Sequence, residues 1–274
     1  MNYTLPMKKT LLLTSLIASL ALSSAAPASA KTTITLSGST SASPLVGSLI
    51  KQFLKEKGPV ATFVKYEGGS DVGVADAAYG RVSIGMVSRD EKGADPHGLS
   101  WNKFARDAIC LITNKSNPLT GMTQTTADGI FSGQMYNWSQ VPGARTTGVI
   151  NLLTRTVASG TQDMFEKLFL GTGHHISSSA AAKASNGLIL AAVKANPKAI
   201  GYVSYGFTSG VYAVPYMGYT CTLRNAKSGQ YPAVRNFWFV TRNTPTGVVA
   251  SFINWASSAP SAQRIVANGY VPIN

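Results

Sequence analysis

The sequence predicts an α/β protein in which helices cover a mainly parallel sheet. Three observations predict it. Between Thr32 and Val87, strand-like apolar runs alternate with helix-like segments in the order β-α-β-α-β. Hydrophobic residues make up 45% of the chain and charged residues 13%, a composition that packs rather than stays disordered. The length of 274 residues is enough for one large domain or two modest ones, each with its own core.

Residues 1–30 are set apart from that fold. Lys8 and Lys9 precede a short apolar run, Leu11 to Leu22, and Ala28-Ser29-Ala30 forms a small-residue cleavage site. These are the three parts of a secretory signal peptide, with cutting expected before Lys31. The apolar run is shorter than the roughly 20 residues of a membrane span. The alternative is an uncleaved N-terminal anchor. No cysteine lies near the cleavage site, which argues against a lipid anchor there. The mature chain is expected to be soluble and periplasmic or secreted.

The elements follow in order. Thr32 to Leu36 reads as a strand, and Ser37 to Ser41 as a turn. A helix starts near Pro44, a residue tolerated in a first turn, with Leu45, Leu49, Phe53 and Leu54 at helical spacing. Val60 to Tyr66 is a strand, Val72 to Tyr79 a short helix, and Val82 to Val87 a third strand. Further strands are expected at Asp107 to Thr113, Val149 to Thr154, Ile200 to Val203 and Phe237 to Thr241. Helices are expected at Thr126 to Phe131, Gln162 to Leu170, Ser185 to Ala195, Gly247 to Ala256 and Ala262 to Ala267. Ser177 to Ala184 is a Ser/Ala-rich tract with no assigned element.

The formal charge is +13, and +11 without residues 1–30, which hold two lysines and no acid. A positive field of this size speeds the arrival of small anions. Basic residues are dispersed, without a block of five or six, which speaks against a nucleic-acid footprint. Cys110 and Cys221 could pair in an oxidising compartment, but sequence alone leaves open whether they meet.

Three polar turns share one layout, each after an apolar strand and before a helix: Ser39-Thr40-Ser41, Gly69-Ser70-Asp71 and Ser159-Gly160-Thr161. Ligands of parallel α/β sheets sit beyond the carboxyl ends of strands, where helix N-termini offer free N–H groups. Each turn alone could be no more than an N-cap. Three together suit a small oxyanion held by many neutral donors. Arg155, at the end of a strand and four residues before Ser159, adds a guanidinium that could grip two oxygens; alternatively it is a surface arginine or a partner for a carboxylate.

At these residues the chain resembles a family. The segments Ser37-Gly38-Ser39-Thr40-Ser41-Ala42-Ser43-Pro44, Gly68-Gly69-Ser70-Asp71-Val72-Gly73, Ile84-Gly85-Met86-Val87-Ser88-Arg89 and Arg155 with Ser159-Gly160-Thr161 are similar to those of the phosphate-binding proteins of bacterial phosphate ABC transporters. So are Asn137-Trp138-Ser139, Gly201-Tyr202-Val203, Tyr231 to Arg235, Gln263 to Val266 and Gly269 to Pro272. The resemblance implies a two-lobed periplasmic-binding-protein fold of type II, with residues 31–106 plus 235–274 as lobe one and 107–234 as lobe two. It implies an anion, phosphate first, buried between the lobes by hinge closure, and delivery to a transporter permease in the inner membrane. No catalysis, metal or cofactor is implied, and the chain is expected to be a monomer.

By motif position, Ser39, Thr40, Ser41, Ser70, Asp71, Ser88 and Arg89 would line the ligand from lobe one, and Arg155, Ser159, Gly160 and Thr161 from lobe two. Where members of the family place an aspartate that accepts the proton of hydrogen phosphate, this chain has Ser88-Arg89; Asp71 and Asp90 are the nearest carboxylates, and either could serve. Sulfate, molybdate, tungstate or a phosphonate are the competing ligands.

Weaker patterns have plainer explanations. Ser48-Leu49-Ile50-Lys51 matches S-x-x-K, but Val72 stands where the companion motif Ser70-Asp71-Val72 would need Asn. A hydrolase using Ser48 or Ser159 is the enzyme alternative. His174-His175, without Cys or a carboxylate close in sequence, reads as a solvated turn. Tyr66, Trp138, Tyr202 and Tyr205 read as core or cleft wall.

Overall fold

The computed structural model describes residues 1–4 and 32–273; the expected signal segment and its cleavage site lie almost wholly outside the described residues. The first half of the chain runs β1 (Thr32–Gly38), α1 (Ser43–Lys57), β2 (Ala61–Lys65), α2 (Ser70–Ala78), β3 (Ile84–Val87), β4 (Ser100–Thr113), α3 (Gln124–Phe131), β5 (Asn151–Arg155) and α4 (Gly160–Phe169). The second half runs β6 (Ala181–Lys183), α5 (Asn186–Ala195), β7 (Ala199–Ser204), β8 (Tyr212–Ala213), α6 (Leu223–Lys227), β9 (Val234–Thr241), α7 (Gly247–Ser258) and α8 (Pro260–Ala267). Among the described residues no helix is long and apolar enough to cross a membrane.

The strands join in the order β2-β1-β3-β9-β4-β7-β5-β6, with β8 beside β4. The predicted mainly parallel sheet is in fact mixed. β1 runs parallel to β2 and β3, and β5 parallel to β6 and β7, but β9 is antiparallel to β3 and β4, and β4 is antiparallel to β7 and β8. The reason lies in the strand order: β9, from the far end of the chain, enters between β3 and β4 and runs against both, so that β3 and β4 themselves point the same way.

β4 is also twice as long as its apolar core suggested. Its first half carries Asn102, Lys103 and Arg106, which hide the strand from a hydrophobicity reading. That half pairs with β9, from Ser100 opposite Thr241 to Ala108 opposite Val234; the second half pairs with β7, from Ile109 opposite Ser204 to Thr113 opposite Ile200. Two large cores follow this division. One holds Leu36, Leu49, Phe53, Phe104, Phe239 and Phe252; the other holds Ile109, Leu111, Phe131, Phe165, Val203 and Tyr202. In the first, Phe104 and Phe239 stack at 3.9 Å; in the second, Phe165 and Tyr202 do the same. Each fully buried ring of this kind contributes about 1.5–3 kcal/mol.

Cys110 and Cys221 form a disulfide, with Cα atoms 5.7 Å apart, that closes a long loop inside the second core. β6 lies in the Ser/Ala-rich tract, where three residues gave no periodic signal. Trp138 and Tyr202 are core residues as expected, whereas Tyr66 is exposed. His174 and His175 sit on an exposed turn, their rings bonded to Asp128 at 2.6 Å and Glu166 at 3.2 Å. Among the described residues no three His, Cys, Asp or Glu side chains gather as a metal site would require.

Candidate anion-binding site

The three polar turns meet. The first is shaped by Gly38, whose φ of 127° and close approach to the Met86 carbonyl leave no room for a side chain. Ser39 then accepts from the N–H groups of Ser41 and Ala42, both at 3.2 Å, and closes the turn into α1. This leaves Thr40 and Ser41 buried at the helix N-terminus. The second turn is tied to the first by the N–H groups of Gly68 and Gly69, each donating to the Gly38 carbonyl at 3.0 Å. Ser70 accepts from the N–H of Ser88 at 3.0 Å, and their hydroxyls lie 3.1 Å apart.

The third turn faces the first two. Ser159 caps α4 by accepting from Thr161 N–H at 3.2 Å and Gln162 N–H at 3.4 Å. The Thr161 hydroxyl reaches Ser41 Oγ at 3.0 Å, and the Asp71 N–H donates to the Ala158 carbonyl at 3.1 Å. Gly160 is pressed against Ser70: a Cβ there would sit 2.8 Å from Ser70 Cβ and overlap its hydroxyl. An alanine at position 160, the first residue of α4, gains little of the helix-interior preference and holds the facing turns apart. Gly160→Ala is therefore expected to weaken anion binding at least tenfold while leaving the ligand-free melting temperature no higher than the parent's. Titration calorimetry beside a thermal melt checks both signs.

Three arginines are buried here, and they differ in their partners. Arg89 donates from Nε to Asp71 at 2.7 Å, and from Nη1 and Nη2 to the two oxygens of Asp95, also at 2.7 Å. Burial opposes its charge and these carboxylates restore it, leaving its pKa raised. Arg235 grips Asp107 from Nε at 3.1 Å and Nη2 at 2.8 Å, and donates from Nη1 to Thr161 Oγ1 at 2.8 Å. Asp107 is fully enclosed; burial pushes its carboxyl up, and the Arg235 fork and the Ser204 hydroxyl at 2.9 Å pull it back.

Arg155 has no carboxylate partner among the described residues. Its Nε donates to the Lys183 carbonyl at 3.1 Å, and its Nη2 to the Ala184 carbonyl at 2.9 Å and Thr40 Oγ1 at 3.1 Å. Its Nη1 is buried without any acceptor. Burial pulls its pKa down to about 10, so it remains charged at neutral pH. A buried cation short of a counter-charge is costly unless an anion completes it.

The sequence-predicted residues thus separate into three groups. Thr40, Ser41, Ser70, Ser88, Arg155, Gly160 and Thr161 converge on one buried region. Ser39 and Ser159 are next to it, but their hydroxyls accept backbone N–H groups, Ser39 in the turn before α1 and Ser159 as the cap of α4. Arg89 and Asp71 bond to each other at the edge, within a charged cluster that includes Asp95, Lys92 and Asp163. Asp90 accepts from Asn236 Nδ2 at 2.9 Å and Trp238 Nε1 at 3.3 Å. Both carboxylates proposed as the ligand-proton acceptor are therefore already engaged.

Sequence reasoning missed Asn186 and the Arg235–Asp107 pair. Arg235 lies in a segment that resembles the family's, Tyr231 to Arg235, but nothing in that segment points to Asp107 as its partner. Asn186 follows Ser185 at a helix start and gave no signal beyond an N-terminal polar pair.

Residues 23–260 match the model of the PBP superfamily domain. The chain belongs to the PBP superfamily. Several of its relatives are phosphate-binding proteins. The phosphate-binding protein PstS of Bacillus subtilis is 25% identical over 246 residues, 88% of this chain and 80% of that protein. A phosphate ABC transporter substrate-binding protein of Clostridium perfringens, solved with bound phosphate, is 30% identical with a TM-score of 0.82, over 88% of this chain and all of that one. An ABC-type phosphate transport receptor of Vibrio cholerae is 27% identical with a TM-score of 0.71, over 87% of this chain and 99% of that one. The two-lobed α/β architecture of these PBP-superfamily proteins is the architecture described above.

Proposed function

We propose that the chain is the extracytoplasmic binding protein of a phosphate ABC transporter, capturing phosphate by closure of its cleft and releasing it to a permease. One observation carries the reading: the convergent turns present donors for which the protein supplies no acceptor. Arg155 Nη1 is one, and the N–H groups of Thr40, Ser70 and Gly160 are three more among the described residues. A tetrahedral oxyanion offers several acceptor oxygens within one small volume, and each charge-assisted bond to it is worth about 1.5–3 kcal/mol net. The relatives that bind phosphate supply the choice among oxyanions.

The two halves of the cleft are assigned to residues 31–106 plus 235–274 and to residues 107–234, with β4 and β9 as the hinge. Ser70 and Ser88 are the neutral hydroxyls beside the cradle that can accept a ligand proton, a role Asp71 and Asp90 are placed too unfavourably to fill. The disulfide suits an oxidising compartment outside the cytoplasm. A binding rather than hydrolytic role fits the serines considered for catalysis: Ser48 lies on the exposed side of α1 and donates to the Pro44 carbonyl, and Ser159 is a helix cap.

Titration calorimetry of the mature chain with phosphate, sulfate and molybdate at constant ionic strength tests the proposal. Saturable one-to-one binding of phosphate, with the other two at least tenfold weaker, is the expected result. Sulfate or molybdate binding more tightly than phosphate would reassign the ligand.

A further inference from the structure

We propose that Asn186 is a positioning residue for the oxyanion, one that compels the hydroxyls of Thr40 and Ser41 to act as donors; the inference rests on the phosphate-binding reading above. Asn186 is fully buried at the first turn of α5. Its Oδ1 accepts from the Ser204 N–H at 3.0 Å, which fixes the amide orientation: the reversed amide would set two donors against each other. Its Nδ2 therefore faces the first turn, donating to Thr40 Oγ1 at 3.1 Å and Ser41 Oγ at 2.9 Å.

The number of hydroxyl protons left for a ligand follows by counting. Thr40 Oγ1 accepts from Asn186 and also from Arg155 Nη2 at 3.1 Å, so both of its lone pairs are filled and its proton must point elsewhere. Ser41 Oγ accepts from Asn186, and Thr161 Oγ1 accepts from Arg235; these two oxygens share one contact of 3.0 Å. Only one of them can donate across it, and whichever receives then has both lone pairs filled and a proton to place. Of the three hydroxyl protons, two are left without a protein acceptor among the described residues. They join the free Arg155 Nη1 and the free N–H groups of the turns. The amide of Asn186 thus converts hydroxyls that could face either way into part of a one-directional donor set on this side of the cradle, which suits the charged oxygens of an anion and leaves a ligand proton to the Ser70 and Ser88 hydroxyls.

An aspartate at position 186 keeps the shape but reverses the logic. Asn186→Asp places an acceptor where Nδ2 stood, draws the Thr40 and Ser41 protons back toward the protein, and adds a negative charge. The charged groups around it are Arg155, which shares the Thr40 oxygen, and the Asp107–Arg235 pair, reached through Ser204 and Thr161. Protonation of the new carboxyl removes its charge and returns one donor, and burial favours that neutral form.

The experiment is phosphate titration of the parent chain and Asn186→Asp from pH 8 to pH 5, the affinities compared at each pH so that the ligand's own ionisation cancels. The expected result is a loss of at least a hundredfold at pH 8 that narrows at least tenfold by pH 5. Affinity within threefold of the parent at pH 8, or an equal loss at every pH, would overturn the inference, the second result marking a merely structural role. If Asn186→Asp does not fold, Asn186→Ala decides: a tenfold or greater loss with an unaltered circular dichroism spectrum supports the inference, and unchanged affinity refutes it. A parent chain that binds no phosphate would instead remove the reading beneath the inference, and the inference with it.

Discussion

Arg155→Ala is expected to lower phosphate affinity by roughly 30- to 4,000-fold in titration calorimetry, the equivalent of about 2–5 kcal/mol for truncating one side of a buried charge pair. The expectation follows from what else the guanidinium touches. Its Nε and Nη2 are held by the Lys183 and Ala184 carbonyls and Thr40, so the side chain is already oriented, and only Nη1 is left to find a partner. Little ordering cost remains when the anion arrives. Because Arg155 has no carboxylate partner, its removal leaves no orphaned acid, and the folded state is expected to be at least as stable as before when phosphate is absent. Arg155→Lys keeps a charge but not the fork, and is expected to recover only part of the loss. Affinity for phosphate unchanged in Arg155→Ala would take Arg155 out of the site.

Asp107→Ala is expected to act on stability in the opposite way. Arg235 and Asp107 face each other across the β9–β4 ladder, and both side chains are fully enclosed. Replacing such a pair by apolar residues can be neutral, but removing one member costs about 3–5 kcal/mol because the other charge stays buried alone. For a domain of this size each kcal/mol is worth about 2–4 °C, so the melting temperature without phosphate should fall by roughly 6–20 °C. Saturating phosphate should recover more of that loss than it adds to the parent chain, since Arg235 is linked to the ligand cradle through Thr161. A melting temperature within 2 °C of the parent would show that the pair is dispensable.

Much of this was legible in the sequence wherever short-range chemistry decided the outcome. The strand-turn-helix units around Ser39 to Ser41, Ser70 and Ser159 to Thr161 fold as their spacing predicts, because glycine placement, capping hydroxyls and apolar periodicity are all local. The unpartnered state of Arg155 was not legible: Asp71 takes Arg89 and Asp107 takes Arg235, and those pairings depend on strands brought together from distant parts of the chain. The first half of β4 was hidden for a related reason. Asn102, Lys103 and Arg106 interrupt its apolar run, and its strand character comes from pairing with β9, 126 to 141 positions later in the chain. Asn186 shows the limit most clearly. Its importance resides in the direction of two amide hydrogens, which no residue pattern encodes.

β4 and β9 lie side by side where one core gives way to the other, and they are the chain's double passage between them. A paired ribbon flexes like a leaf spring: it bends across its face far more readily than it shears along its length. On the proposed reading, opening and shutting of the cleft would leave the ladder intact and offer no bare strand edge to a neighbouring molecule.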